Sequence, residues 1–220
     1  VSPEGQWGVW LDLPHQAVRP FLDQVELLQM VLDRCVLEVG QKRKQVEIDP
    51  RSNTPRYRLN SEAQQRTWTR SWMGEIPVPL FSRIGDFSQP GDLINHLLVK
   101  EVQEHLSEAQ SHFSKPLPVL DWGAGSGNLS VAALATAPMV LALDQDSLAL
   151  SGLEKTRETL SPDQQTALQI RRVDFYQLRL LETDFFRELH SEPCLWIVDP
   201  PRSGAGALFF EIPKNTQGIV

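Results

Sequence analysis

A chain of 220 residues that is 41% hydrophobic, 22% charged and carries a net charge of −7 has enough apolar material for a substantial core. No run of about 18 apolar residues occurs, so no transmembrane helix is expected, and the opening Val1-Ser2-Pro3-Glu4-Gly5 lacks the basic end and apolar middle of a signal peptide. The 2 cysteines, Cys35 and Cys194, make neither a disulfide framework nor a metal cage, and the 5 histidines show no zinc-like spacing. A reducing, cytoplasmic setting without a metal is expected. Lacking an initiator Met, the chain reads as a fragment or a processed product.

The acidic balance argues mildly against nucleic acid as a partner, but it is uneven. Residues 34–70 carry nine basic side chains against four acids (Glu38, Glu47, Asp49, Glu62). Such a portion is suited to holding a polyanion over an acidic catalytic portion. A solvated basic face with no partner remains the alternative.

In chain order, Trp7-Gly8-Val9-Trp10-Leu11-Asp12-Leu13 reads as a strand. Val18, Phe21, Leu22, Val25, Leu28, Val31 and Leu32 then recur at helical spacing. Val36 to Ile48 is strand-like with a turn near Gly40, and a polar loop over 49–55 leads to Tyr57-Arg58-Leu59. This predicts a smaller mixed α+β domain over residues 1–83. The turn-rich Gly85-Asp86-Phe87-Ser88-Gln89-Pro90-Gly91 marks the boundary. Leu93, Leu97, Val102 and Leu106, with Ile94 and Leu98 beside them, predict an amphipathic helix.

From Pro118 strands and helices alternate. Strand 119–122 leads to a helix ending near Pro138, strand 139–143 ends at Asp144, and a helix covers about 146–159. Strand 168–173 ends at Asp174, helix 178–190 follows, and strand 195–198 ends at Asp199. Gln217-Gly218-Ile219-Val220 opens a fifth strand. The alternation predicts a doubly wound, mostly parallel sheet over 84–220, with ligands at the carboxyl ends of its strands.

The first of those strands runs into Asp121-Trp122-Gly123-Ala124-Gly125-Ser126-Gly127-Asn128, with a glycine at every second position. Glycine opens backbone angles closed to other residues and lets a ligand approach the main chain. The dinucleotide fingerprint G-x-G-x-x-G fails here, because its third glycine would fall on Asn128 or Ser130. An acid ahead of the loop suits a cofactor with a cationic, amine-bearing end, such as S-adenosylmethionine, so Asp121, Gly123, Gly125 and Gly127 are candidate cofactor contacts. Asp144 lies 17 residues after Gly127 and is placed to accept two ribose hydroxyls. Asp146 is its backup, with a helix N-cap as the plainer role. Asp174, followed by Phe175, is suited to an adenine amino group. Asp199-Pro200-Pro201-Arg202-Ser203-Gly204 stiffens the chain after its strand and presents Asp199 to the crevice. Amino-group methyltransferases place a stacking aromatic where Arg202 stands, which leaves room for ring-carbon chemistry.

Taken together, Gly85 to Gln89, Asp121 to Asn128 and Asp199 to Gly204 resemble the RNA uracil-C5 methyltransferases that act on tRNA and ribosomal RNA. The resemblance covers about residues 84–220. It implies a Rossmann-like class I methyltransferase domain, S-adenosylmethionine as cofactor and RNA as partner. Gln89, Gly123, Asn128, Asp144, Asp174 and Asp199 match cofactor contacts; Phe87, Gln89 and Asp199, with Arg202, are candidate substrate contacts. In that family a cysteine thiolate adds to uracil C6 and a glutamate-type base removes the C5 proton. The base must first leave its stack. The nucleophile belongs to a Ser-Cys motif after the fifth strand, so it is expected beyond Val220. Cys194, ahead of the fourth strand, and Cys35, outside the cofactor domain, are expected to be inert. Two further readings stand: a methyltransferase acting on another base, and a catalytically incomplete RNA-binding relative.

Overall fold

The computed structural model describes residues 1–2, 5–61, 65–89, 91–174, 184, 192–199 and 216–219. The chain divides into two compact units, Val1–Thr69 with Ser82–Phe87, and Arg70–Phe81 with Ser88–Val220. The division expected at residues 83 and 84 is therefore interleaved. Residues 70–81 go with the second unit, and 82–87 return to the first.

The first unit holds β1 (Trp7–Leu11), α1 (His15–Leu22), α2 (Val25–Leu32), β2 (Cys35–Val39), β3 (Lys44–Ile48) and β4 (Tyr57–Asn60), in sheet order β1-β2-β3-β4. β1 and β2 run parallel, which requires a crossover, and α1 and α2 supply it. The helical periodicity from Val18 to Leu32 breaks at Asp23-Gln24, just after Pro20 inside α1. β2 to β4 are antiparallel. Leu28, Leu37, Val39 and Val46 form the core beneath the helices.

β5 (Arg66–Met73) and β6 (Ile76–Ser82) make a separate two-stranded sheet. No sequence signal announced it, because Pro77 and Pro79 speak against a strand. Both prolines are exposed on β6, while Val78 and Leu80 point inward.

The second unit continues with α3 (Asp92–Ser111), β7 (Val119–Trp122), α4 (Asn128–Ala133), β8 (Val140–Asp144), α5 (Ser147–Glu158), α6 (Pro162–Ala167), β9 (Leu168–Arg172), β10 (Cys194–Val198) and β11 (Thr216–Ile219). The five-stranded sheet has the order β11-β10-β7-β8-β9 and is parallel throughout. It is Rossmann-like. The order reverses between β7 and β10, where ligands of open parallel sheets bind. Alternate residues serve opposite faces. Val119, Val140, Ala142, Leu195 and Ile197 join one core with Val102 and Leu106 of α3, Val131 of α4 and Leu153 of α5. Leu120, Trp122, Leu141, Leu143 and Trp196 form the other, with the Trp122 and Trp196 rings 5.1 Å apart. Burial on both faces is what a parallel sheet demands.

α3 corrects the expected amphipathic face. Leu93, Ile94 and Leu97 are exposed, and the buried stripe is Asn95, Val99, Val102, Leu106 and Gln110. The expected helix over 178–190 and Phe175 fall outside the described residues. Among the described residues, no helix is long and apolar enough to cross a membrane.

Candidate functional site

The turn after β7 is built from glycine because its backbone requires it. Gly123, Gly125 and Gly127 have φ of 91°, 54° and 91°, the left-handed region that side chains disfavour. The amides of Gly123 and Ala124 both donate to the Leu143 carbonyl at 2.9 and 3.0 Å, which seats the loop on the end of β8. At Gly127 there is no room for a side chain: a Cβ would lie 2.2 Å from Leu153 Cδ1. At Gly125 the nearest atom would be the Gly123 carbonyl oxygen at 4.0 Å. That position is open, and a ligand can reach the main chain there.

Three polar attachments hold the loop and the start of α4. Asp144 closes β8, and its Oδ2 accepts the Gly125 amide at 2.8 Å while Oδ1 accepts the Asp146 amide at 2.8 Å. Each carboxylate oxygen keeps a second lone pair for a ligand hydroxyl. Asp146 is the N-cap of α5, accepting from the Leu148 and Ala149 amides, which supports its plainer role. Below the loop, Asp121 is buried and accepts the Ser130 hydroxyl through Oδ2. Its Oδ1 has no hydrogen-bond partner among the described residues. Burial, with the nearby Asp199 and Asp144 charges, pushes its carboxyl up to about 7, against a smaller lowering by Ser130.

The third attachment was not foreseen from sequence. The side chains of Asn128 and Asn95 form a reciprocal pair, with Asn95 Nδ2 to Asn128 Oδ1 at 3.0 Å and Asn128 Nδ2 to Asn95 Oδ1 at 2.8 Å. Asn95 also donates to the Arg70 carbonyl at 2.8 Å, and Ser71 donates its hydroxyl to the Asn128 carbonyl. The Asn128 side chain thus clamps α3 to α4. A lone Asn on a helix carries no sequence signal for such a role.

Asp121 lies on β7 and Asp199 just past β10, the two strands that meet at the switch point. The Asp199 amide donates to the Trp122 carbonyl at 3.1 Å, so the ends of β10 and β7 meet. Asp199 keeps solvent access at that end, yet loss of hydration from the protein around it raises its carboxyl. The Asp199 and Asp144 charges both act on Asp121. Asp174 stands exposed just past β9, Gln89 is half-buried ahead of α3, and Phe87 is exposed in the first unit. Arg202 lies outside the described residues. Cys194 begins β10, at the end opposite the glycine loop, and burial raises its thiol. Cys35 lies in the first unit, and burial raises its thiol as well.

A cationic cofactor with a ribose fits these residues. Gly125 leaves the loop backbone clear, Asp144 has free acceptor capacity, and Asp121 Oδ1 is an acceptor left without a partner among the described residues.

Comparison with known proteins gives one named relative with this geometry in hand. An uncharacterized RNA methyltransferase of Bdellovibrio bacteriovorus is 30% identical over 207 residues, which is 93% of this chain and 49% of that protein. The chain is related to a named RNA methyltransferase. It spans about half the length of that curated relative. No family model matches. Among solved structures, the Pyrococcus abyssi tRNA (uracil-54, C5)-methyltransferase in complex with S-adenosyl-L-homocysteine is 15% identical, with a TM-score of 0.45 over 78% of this chain and 35% of that one. The M. jannaschii tRNA m1G37 methyltransferase is 16% identical, with a TM-score of 0.46 over 94% of this chain and 52% of that one.

Proposed function

We propose that the chain is the cofactor-binding portion of an S-adenosylmethionine-dependent RNA methyltransferase whose target is C5 of a uridine in tRNA or ribosomal RNA. The observation that carries the cofactor is the glycine loop at the switch point, with Asp144 bonded to the Gly125 amide and acceptor capacity to spare. RNA as substrate is supported by the named relative. The uracil target is supported by the order of three motifs: Gly85 to Gln89, Asp121 to Asn128, and Asp199 to Gly204.

The bound cofactor supplies a methyl group carried on a positively charged sulfur. Asp144 holds the ribose, Gly123, Gly125 and Gly127 admit the ligand against the main chain, and Asp174 reads the adenine amino group. Asp121, Asp144 and Asp199 together favour a cation in the crevice. Asp199 and Gln89 orient the base, with Phe87 and Arg202 as further substrate contacts. Ring-carbon methylation of uracil also needs a thiolate at C6, which makes C5 nucleophilic. Neither cysteine suits that task. Cys194 is buried at the wrong end of its strand and Cys35 belongs to the other unit, and burial raises both thiols.

Photolabelling tests the cofactor assignment directly. Irradiation with methyl-labelled S-adenosylmethionine, followed by peptide mapping, should label the segment containing residues 121–128 and that containing Asp144. Labelling confined to other segments would contradict the reading.

A further inference from the structure

The first unit contains a side-chain network that its folding does not explain. The indole of Trp10 donates from Nε1 to the Gly40 carbonyl at 3.1 Å, and the Arg43 guanidinium lies 5.2 Å from the ring centroid. Gly85 approaches from a third side, since a Cβ there would stand 3.7 Å from Trp10 Cε3. Even so, 39% of Trp10 remains in solvent.

Arg43 is itself fixed. It pairs with Glu38 at 3.0 Å and with Asp86 at 3.1 Å, and Asp86 also accepts the Arg83 amide at 2.8 Å. That last bond closes the short loop leading to Phe87, which is 77% exposed. The network has costs. Glu38 is a buried carboxylate that burial pushes above its usual range despite Arg43. Arg43 has φ of 49°, the one non-glycine residue with positive φ among those described. An exposed cation–π contact offsets little of this. A rigid, half-exposed indole obtained at such cost points to a ligand.

Exposed aromatic rings beside cations are what unpaired nucleotides need, a face for the base and charge for the backbone. The exposed Lys42 sits in the same β2–β3 turn as Arg43, within the basic stretch of 34–70. We propose that Trp10 is a stacking platform for an unpaired base of the RNA, held in place by Arg43 and flanked by Lys42 for a phosphate. This rests on the RNA reading above. Trp7, on the opposite face of β1 by strand alternation and 60% exposed, lacks a guanidinium partner and serves as a control.

The test is fluorescence anisotropy with a labelled, uridine-rich single-stranded RNA and with an RNA duplex, at one fixed salt concentration. Trp10→Ala should weaken single-strand binding about tenfold, as expected for the loss of one stacked base. Trp10→Phe should retain most of the affinity, and Trp7→Ala all of it. Duplex binding and S-adenosylhomocysteine affinity should not move in any variant. Unchanged single-strand affinity in Trp10→Ala, or an equal loss in Trp7→Ala, would overturn the platform and leave the cofactor reading intact. Wild-type protein that takes up no S-adenosylhomocysteine would instead strike at that reading. Should Trp10→Ala fail to fold, ultraviolet crosslinking of the wild type decides: a uridine adduct mapped to Trp10 is expected, and adducts only elsewhere refute the proposal.

Discussion

Asp144 and Asp146 stand two residues apart and do different work. Asp144 ties β8 to Gly125, while Asp146 caps α5. Asp144→Ala should weaken S-adenosylhomocysteine binding by about 1.5–3 kcal/mol, the worth of hydrogen bonds to a charged acceptor. Asp146→Ala should cost about 1 kcal/mol of stability and leave the affinity nearly unchanged. Calorimetry and thermal melts on both variants check this, and equal affinities would reject Asp144 as the ribose acid. Asp121 gives a pH dependence of definite sign. Its carboxyl rises from 3.8 to about 7 on folding, so between those values the unfolded chain has released a proton that the folded chain keeps. Its stabilising contribution is complete below the lower value and is lost as pH rises through the upper one. Asp121→Asn should therefore melt higher than wild type at pH 8 and close to it at pH 4. A cationic ligand favours the ionised carboxylate, so cofactor affinity should rise from pH 6 to pH 8 in the wild type and stay flat in the variant. The acids were legible in the sequence because Asp144 and Asp199 directly follow apolar runs and Asp121 precedes the glycines. Asn95 was not, since only its distance to Asn128 in space reveals the pair.

At the level of elements, the glycine loop separates ligand access from folding. Gly125→Ala meets open space and should cost only about 1–2 kcal/mol for its left-handed backbone, yet the new methyl group would occupy the ligand's approach and abolish binding. Gly127→Ala adds a collision with Leu153 in the core between α4 and α5 and should cost about 2–5 kcal/mol. Denaturant titration of the two variants, with binding measured on the first, separates these effects. The parallel sheet was readable because β7, β8 and β10 are apolar runs and helices α4 to α6 separate β7, β8 and β9. The buried stripe of α3 was harder. Asn95 and Gln110 lie within it as polar residues, Gln110 bonding both the amide and the carbonyl of Leu117, whereas Leu93, Ile94 and Leu97 mimic a core face in solvent. The β5/β6 hairpin was hidden by two prolines, tolerable only because a two-stranded sheet leaves backbone amides free. α6 begins with a capping box, Ser161 with Gln164, that is plain in the sequence once sought.

For the molecule as a whole, the chain spans about half of its named relative, and it divides into two units of different construction. On the proposed uracil-C5 reading, the 220-residue chain should bind cofactor and RNA without methylating uridine, because Cys194 begins β10 at the end opposite the glycine loop and Cys35 lies in the other unit. Unmodified cellular RNA incubated with methyl-labelled cofactor should yield no 5-methyluridine by nucleoside analysis. Incorporation that vanishes in Cys194→Ala would show that the nucleophile was misplaced. The central claim, however, is the identity of the cofactor. Isothermal titration of the chain with S-adenosylhomocysteine and, separately, with NAD tests it most directly. Saturable binding of S-adenosylhomocysteine at one site, lost in Gly125→Ala and with no comparable heat from NAD, is the predicted result; preferential binding of NAD, or no binding of S-adenosylhomocysteine by the folded chain, would contradict it.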